Sequence, residues 1–321
     1  MGGVVVEIWR RILAGIWWRI LHFSASSADF KESVMQDLDK VLGLGLAGNF
    51  ANHLEQAGEA GDFACIIGDE ECAPKGIFPF FVPNSSGVLG RFCFDDRAVV
   101  LPNDTSLLVQ AEAEVGLECD IVYDENSGKK CVKSLIPSYF MAFNDASVRN
   151  DKEAKKLSLK KNFSIGSKGF SSQKIAIDEF SPNGVCKDYS IVSFVESGGK
   201  LEQYGELSEL STYSYFYEKL ISWTIKKLNT QEDFGVLEDL PSVLQESRYP
   251  SKAIVAIGAT RYTQQGENRF LQEGDSVSVI VFNHHKYSFE EICQIAAKLS
   301  TKSNEAQNLS DISVLAQKVV R

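Results

Sequence analysis

The sequence has no C-x-x-C pair: its seven cysteines, at 65, 72, 93, 119, 131, 186 and 293, are odd in number and scattered. That distribution excludes a zinc site of the usual spacing and a disulfide framework, and it fits a reducing compartment. A surplus of positive charge is missing too. The 33 Lys and Arg stand against 43 Asp and Glu, for a net charge of −10, so the chain as a whole repels phosphate backbones, and no basic patch offsets this. Nucleic acid is not an expected partner. There is also no long apolar run. Within the Trp-rich residues 4–23 the longest uncharged stretch, Ile12 to Trp18, falls far short of the ~20 residues that a span requires. No stable membrane span is expected, and Arg19 interrupts the apolar segment that a signal peptide needs. Internal repeats and low-complexity linkers are absent. What remains is an ordinary globular composition of 321 residues, 44% hydrophobic and 24% charged, with length enough for a sizeable core.

Residues 1–34 read as an N-terminal extension. Its Arg-containing, acid-poor character suits an organelle presequence or an interfacial helix; the alternative is that Met35 is the start and these residues lie upstream of it. Apart from that presequence, the expected location is cytoplasmic. Residues 35–286 read as one strand-rich domain, and 287–321 as a C-terminal helical appendage. Alternation in Val109–Leu117 and in Ser276–Val281 predicts half-buried strands. Leu207, Leu210, Tyr213, Tyr217, Leu220 and Ile221 recur at helical steps and predict an amphipathic helix over 206–228. Ser288-Phe-Glu-Glu291 is a capping box opening a helix with Ile292, Ile295, Ala296 and Leu299 on its apolar face. Ile312, Leu315 and Val319 predict a second helix over about 310–320. The Lys-rich segment 149–172 reads as a loop or short helix, either bordering a site or forming a solvated face.

Gly43-Leu-Gly45-Leu-Ala-Gly48 matches G-x-G-x-x-G, and Asp62 lies near the distance of a ribose-binding acid, so a dinucleotide-binding oxidoreductase is one reading. Its context is poor. Only Val41 and Leu42 precede the glycines as an apolar lead-in, and Gly58–Asp62 offers no second strand.

Glu112 and Glu114 are a different kind of signal. One residue apart on an alternating strand, they point to the same face with Cα atoms ~6.5 to 7 Å apart. Two carboxylates so placed can grip a hard divalent ion, Mg²⁺ or else Mn²⁺ or Ca²⁺. Such a strand also reads, more ordinarily, as one showing Gln110, Glu112, Glu114 and Glu118 to solvent. Asp145, just after an apolar segment, is placed as a third acid at a strand end would be.

Several segments in order resemble the fumarylacetoacetate hydrolase (FAH) superfamily. Asn49-Phe-Ala-Asn-His53 resembles N-Y-x-x-H, Pro79–Pro83 resembles F-x-K-P, and Glu112-Ala-Glu114 resembles the E-x-E metal pair. Asn144–Arg149 resembles N-D-x-S-x-R, Lys161-Asn-Phe163 resembles K-S-F, and Ile257–Thr260 with Phe270–Val277 resembles T-G-T-P and L-x-x-G-D-x-V. The opening around Gly43–Phe63 and the run Ala73–Asn84 resemble an uncharacterised bacterial branch of that superfamily.

The resemblance implies an α+β, mainly β fold: a mixed β-sandwich roll of the FAH C-terminal-domain type with peripheral helices, usually a homodimer. It implies a metal-dependent hydrolase or lyase acting on a small 2-oxo or 2,4-dioxo acid, cleaving a C–C bond or decarboxylating through a metal-stabilised enolate. Glu112, Glu114 and Asp145 would hold the metal. His53 would be the general base, with Glu55 as the nearest carboxylate to orient it and Glu59 in reserve, and Lys161 would supply positive charge. Asn49, Phe50, Arg149 and Thr260 would border the substrate. The pattern departs at Gln56, where the family has the Glu of H-x-x-E, at Val82 in place of the F-x-K-P lysine, and at Ala259 in place of a Thr. These departures keep a second reading open, a catalytically altered protein that binds metal or ligand.

Overall fold

The computed structural model describes residues 40–51, 53–63, 66, 70, 72–126, 128–299 and 309–321. The expected extension 1–34 lies outside them. Residues 42–321 form one compact unit. In chain order its named elements begin with β1 (Leu42–Ala47), α1 (His53–Gln56), β2 (Gly76–Phe81), β3 (Ala98–Val100), β4 (Val109–Gln110), β5 (Ala113–Asn126), β6 (Lys129–Asp145) and β7 (Ser147–Val148). They continue with α2 (Leu157–Lys161), β8 (Lys168–Phe170), β9 (Ile175–Ala176), β10 (Tyr189–Ser197), β11 (Lys200–Glu209), α3 (Tyr217–Thr230), α4 (Leu240–Glu246), β12 (Lys252–Ala256), β13 (Ser276–Asn283), α5 (Phe289–Leu299) and β14 (Ile312–Val320).

Two sheets carry the fold. One runs β2-β1-β12-β5-β6-β8 with β9 added to β6; the other runs β11-β10-β13-β14-β3; β4 and β7 form a small third ladder. Apolar residues from both large sheets share one core, including Val115, Leu117 and Phe140 from the first and Ile191, Val279, Val281 and Leu315 from the second. This is the sandwich roll with peripheral helices that the resemblance implies. Among the described residues no helix is long and apolar enough to cross a membrane.

The G-x-G-x-x-G match is overturned as a nucleotide fingerprint. Gly43 and Gly45 lie inside β1, paired antiparallel with β2 and parallel with β12. A Cβ on Gly43 would overlap the ring of Phe80, and one on Gly45 the ring of Phe78. The glycines make room for phenyl rings, and no helix opens on a phosphate-binding turn.

Two helix expectations also change. Leu207 sits exposed on β11, and the helix starts only at Tyr217, burying Leu220, Ile221, Trp223 and Leu228. Leu207 and Leu210 stand three apart, as on a helix, but pairing of 200–209 with β10 makes the segment a strand. The segment 310–320 is strand β14 rather than a helix, antiparallel to β13 and parallel to β3. Its β-branched Ile312, Val314, Val319 and Val320 suit a ladder between two strands, so it is an interior element of the second sheet and not an appendage. The capping box holds as read: Ser288 N–H and Oγ reach the Glu291 carboxylate at 2.8 Å, opening α5.

Candidate metal and active site

The three acids singled out in the sequence converge. The 109–117 alternation is broken by a step between β4 and β5, and Glu112 occupies it. Ala113 then pairs with Asn144, so the start of β5 faces the end of β6. Asn144 Oδ1 accepts the Glu112 N–H at 3.0 Å, and the Asp145 N–H donates to the Glu112 carbonyl at 2.9 Å. Asn144 is itself held by Gln317 of β14 at 2.8 Å. Carboxylate oxygens of Glu112, Glu114 and Asp145 lie within 4.8 Å of one another, and all three residues are buried. Their exposures of 3%, 1% and 0% remove the solvated-face reading of this strand.

Burying three acids demands cations. Lys168 lies across the ladder from Asp145 and places its Nζ 2.8 Å from Oδ1. Lys161, the last residue of α2, places its Nζ 2.6 Å from Glu112 Oε2 and 2.9 Å from Asp145 Oδ2. Arg149, just beyond β7, reaches Glu112 Oε1 at 2.6 Å and Glu59 Oε1 at 2.6 Å, and its remaining donors meet Gln110 and the Tyr262 hydroxyl at 2.8 Å. The Lys-rich segment thus borders a site: two of its lysines are buried in it. The sequence shows Lys168 only as part of the Lys-rich segment and not as a site residue, because its place beside Asp145 comes from the pairing of β8 with β6.

His53 opens α1 and is buried at 4% exposure, with Nε2 3.9 Å from Glu112 Oε2 and its ring 5.3 Å from that of Tyr262. Neither ring nitrogen makes a well-aligned hydrogen bond, although the Thr260 backbone acts on the ring. Glu55, by contrast, is exposed, so the expected dyad with His53 does not form. Gln56 points at Tyr262 instead, its Oε1 accepting the backbone N–H at 3.0 Å and its Nε2 donating to the carbonyl at 3.2 Å. Glu59 is taken by Arg149. Asn49 is likewise consumed: its amide binds Tyr215 N and O and Ile257 O at 2.8 to 2.9 Å, which makes it a brace. Phe50 packs edge-on against Tyr213 in the core. Thr260 Oγ1 and N–H both donate to the Ala113 carbonyl, at 3.2 and 3.0 Å, pinning the residue beside the acids. Val82 is fully buried in the core and brings no cation.

Burial drives His53 down to about 4, with Arg149 and Lys161 assisting against Glu112, so its imidazole is neutral at pH 7. Glu112 is pushed upward by burial, but Arg149 and then Lys161 outweigh this and hold it well below its ordinary value. Glu114 goes the other way: burial, then the charges of Asp145 and Glu112, raise it strongly. One of its oxygens accepts the Gly258 N–H at 2.8 Å. Gly258 sits at φ 114, and a Cβ there would stand 2.9 Å from the Cβ of Asn49, so glycine is required where this donor is presented. A buried set of three oxygen-donor side chains, one of them raised strongly by burial and its carboxylate neighbours, fits a hard divalent ion. Asp145 gives the same indication, since neither oxygen accepts a well-aligned hydrogen bond although both face ammonium groups.

The family described as "Family of unknown function (DUF5718)" matches residues 59–319. No curated protein matches the chain. Solved structures with a similar fold include Cg1458 with inhibitor, 13% identical, covering 87% of this chain and 76% of that one at a TM-score of 0.50. Another is 5-carboxymethyl-2-hydroxymuconate delta-isomerase from Mycobacterium smegmatis, 16% identical, covering 87% and 78% at a TM-score of 0.46. A third is 2-keto-3-deoxy-D-arabinonate dehydratase complexed with magnesium and 2,5-dioxopentanoate, 14% identical, covering 87% and 72% at a TM-score of 0.43. At 13% identity and a TM-score of 0.50, the likeness to Cg1458 shows a shared fold.

Proposed function

The chain belongs to DUF5718, a family of unknown function, so its chemistry has to come from its own site, and we propose that it is a divalent-metal-dependent hydrolase or lyase acting on a 2-oxo or 2,4-dioxo acid. The observation that carries this is the convergence of Glu112, Glu114 and Asp145 from two strands inside a buried pocket of cations. A divalent ion held there would act as a Lewis acid toward the adjacent carboxylate and oxo oxygens of such a substrate. With all groups ionised, Glu59, Glu112, Glu114 and Asp145 stand against Arg149, Lys161 and Lys168, one negative charge in excess. A divalent ion reverses this to one positive, and a buried site with that balance selects an anionic substrate.

The side chains then have distinct tasks. His53 is neutral, with no well-aligned hydrogen bond to either nitrogen, and can take a proton from water or from the substrate. Arg149 and Lys161 place positive charge where the electron pair collects as a C–C bond breaks. Magnesium is the ion we assign first, with manganese or calcium as alternatives, because all three side-chain donors are oxygens. The test is turnover of an acylpyruvate panel with Mg²⁺ or Mn²⁺, against an Asp145→Ala variant; equal rates in the two would remove the metal role. Gln56 supports a second reading, a protein that binds such an acid without hydrolysing it, because the amide at this position clips Tyr262 and leaves His53 without an orienting acid. Tight binding across the panel with no product would select it.

A further inference from the structure

Lys161 and Lys168 both face Asp145, but they are anchored differently. The Lys168 ammonium donates to the carbonyls of Ala146, Lys161 and Ser167 at 2.8, 2.5 and 3.0 Å. It is built into the backbone on the outer side of the acid. Lys161 has no such carbonyl cradle among the contacts of the described residues. Its ammonium rests on carboxylate oxygens, 2.6 Å from Glu112 and 2.9 Å from Asp145, with the Phe78 ring 5.4 Å away. Those oxygens belong to two of the three acids gathered within 4.8 Å. A divalent ion bonded to the same oxygens at ~2.0 to 2.6 Å would stand in nearly the same place, and two cations cannot share it.

We propose that Lys161 is an internal cation seated in the carboxylate cluster, which it neutralises in the metal-free protein and from which it must swing when a divalent ion enters. The inference rests on the metal reading above and assigns the competitor for that metal. The backbone beneath Lys161 stays put, because Asn162 Nδ2 is clamped by the Phe80 and Arg91 carbonyls at 2.8 and 3.1 Å. The movement is therefore a rotation of the four-carbon side chain, which a lysine permits and a planar guanidinium fork would not.

The experiment is Mn²⁺ titration by calorimetry of the wild type, Lys161→Met and Lys161→Gln, with metal-free melting curves of each. Both variants are expected to bind Mn²⁺ at least ~10-fold more tightly than the wild type, and to melt at lower temperature without metal because two buried carboxylates lose their cation. If the wild type binds and the variants bind equally or more weakly, Lys161 is no competitor and the proposal is wrong. If no form takes up Mn²⁺, the metal reading itself falls, and this inference with it. Should neither variant fold, the wild type with ¹⁵Nζ-labelled lysine answers the question: one buried ammonium signal shifts on adding Mg²⁺ if Lys161 leaves, and an unchanged spectrum with metal bound overturns the proposal.

Discussion

Replacing Glu114 with Gln and Asp145 with Asn should separate what the acid cluster does for folding from what it does for metal. Without metal, burial and two neighbouring carboxylates raise Glu114 strongly, which favours its neutral form. Glu114→Gln then exchanges one neutral group for another of the same shape, and the Gln carbonyl can still accept the Gly258 N–H. The expected cost is below ~1 kcal/mol, or less than roughly 4 °C in the melting midpoint. Asp145 is the opposite case. It is fully buried and faces two ammonium groups at 2.8 and 2.9 Å, and Asp145→Asn leaves Lys168, itself 0% exposed, against a neutral amide. Breaking a buried pair in this way costs about 3 to 5 kcal/mol, or on the order of 10 °C.

Metal adds a cost that the metal-free Glu114→Gln variant does not show. At a concentration ~100 times its dissociation constant, a divalent ion should stabilise the wild type by about 2.7 kcal/mol. Glu114→Gln removes an anionic ligand, and losing even an outer partner costs a metal site ~10 to 100-fold in affinity. At the same concentration its stabilisation then drops to about 0.4 to 1.4 kcal/mol. Scanning calorimetry at pH 7 with and without Mg²⁺ or Mn²⁺ reads both quantities. The reasoning is refuted if metal-free Glu114→Gln falls as far as Asp145→Asn, or if metal raises the Gln variant as much as the wild type.

Chelation followed by dialysis should abolish turnover of any acylpyruvate substrate and lower the melting midpoint, and Mg²⁺ or Mn²⁺ should restore both; activity surviving chelation would contradict the proposed mechanism. Glu238 is pushed up from 4.5 to about 7, chiefly by burial, although Ser158 donates to it. Its folded form therefore binds more protons than the unfolded chain, and stability falls as pH rises from 4.5 to 7. Glu238→Gln should remove that slope and stabilise the protein above pH 7 by up to ~3 kcal/mol, as denaturant titrations at pH 5 and 8 would show; parallel curves for the two proteins would refute it. Gly45→Ala forces a methyl into the Phe78 ring and should cost about 1 to 3 kcal/mol, measurable by melting, and neither protein should be stabilised by NAD.

How much was legible depended on whether a feature was local. Glu112-Ala-Glu114 and Asp145 could be read as a motif local in sequence, although Glu112 sits in the step before β5 rather than on a regular strand, and the 14-residue β5 and 17-residue β6 then bring the two segments into register. Lys168 and Gln317 were not legible, since their roles come from pairings. Lys168 matters because β8 lies across from Asp145. Gln317 matters because β14 carries its carboxamide under Asn144, 173 residues away in sequence. The spacing of Ile312, Leu315 and Val319 that suggested a helix there is equally met by a strand whose neighbours cover both faces, as they do at 2%, 2% and 1% exposure. Gly43 and Gly45 misled for a related reason: glycine marks close approach, and here the approaching group is a phenyl ring from the adjacent strand.

The same pairings explain why Gln56 and Glu59 stand where an orienting acid for His53 would be sought. Arg149 needs two anions and a hydroxyl once it is buried, and Glu59, Glu112 and Tyr262 supply them at 2.6 to 2.8 Å. Tyr262 in turn donates its hydroxyl to the Ala111 carbonyl at 2.9 Å and has its backbone clipped by Gln56. An acid at position 56 would set a carboxylate against the Tyr262 carbonyl and lose one of two hydrogen bonds. Gln56→Glu should therefore destabilise the chain by about 1 to 3 kcal/mol without creating a His53 dyad, and it should leave any hydrolytic rate no higher. A faster hydrolase from that substitution would mean that the carboxylate turns to His53 instead, and that the clip on Tyr262 is dispensable.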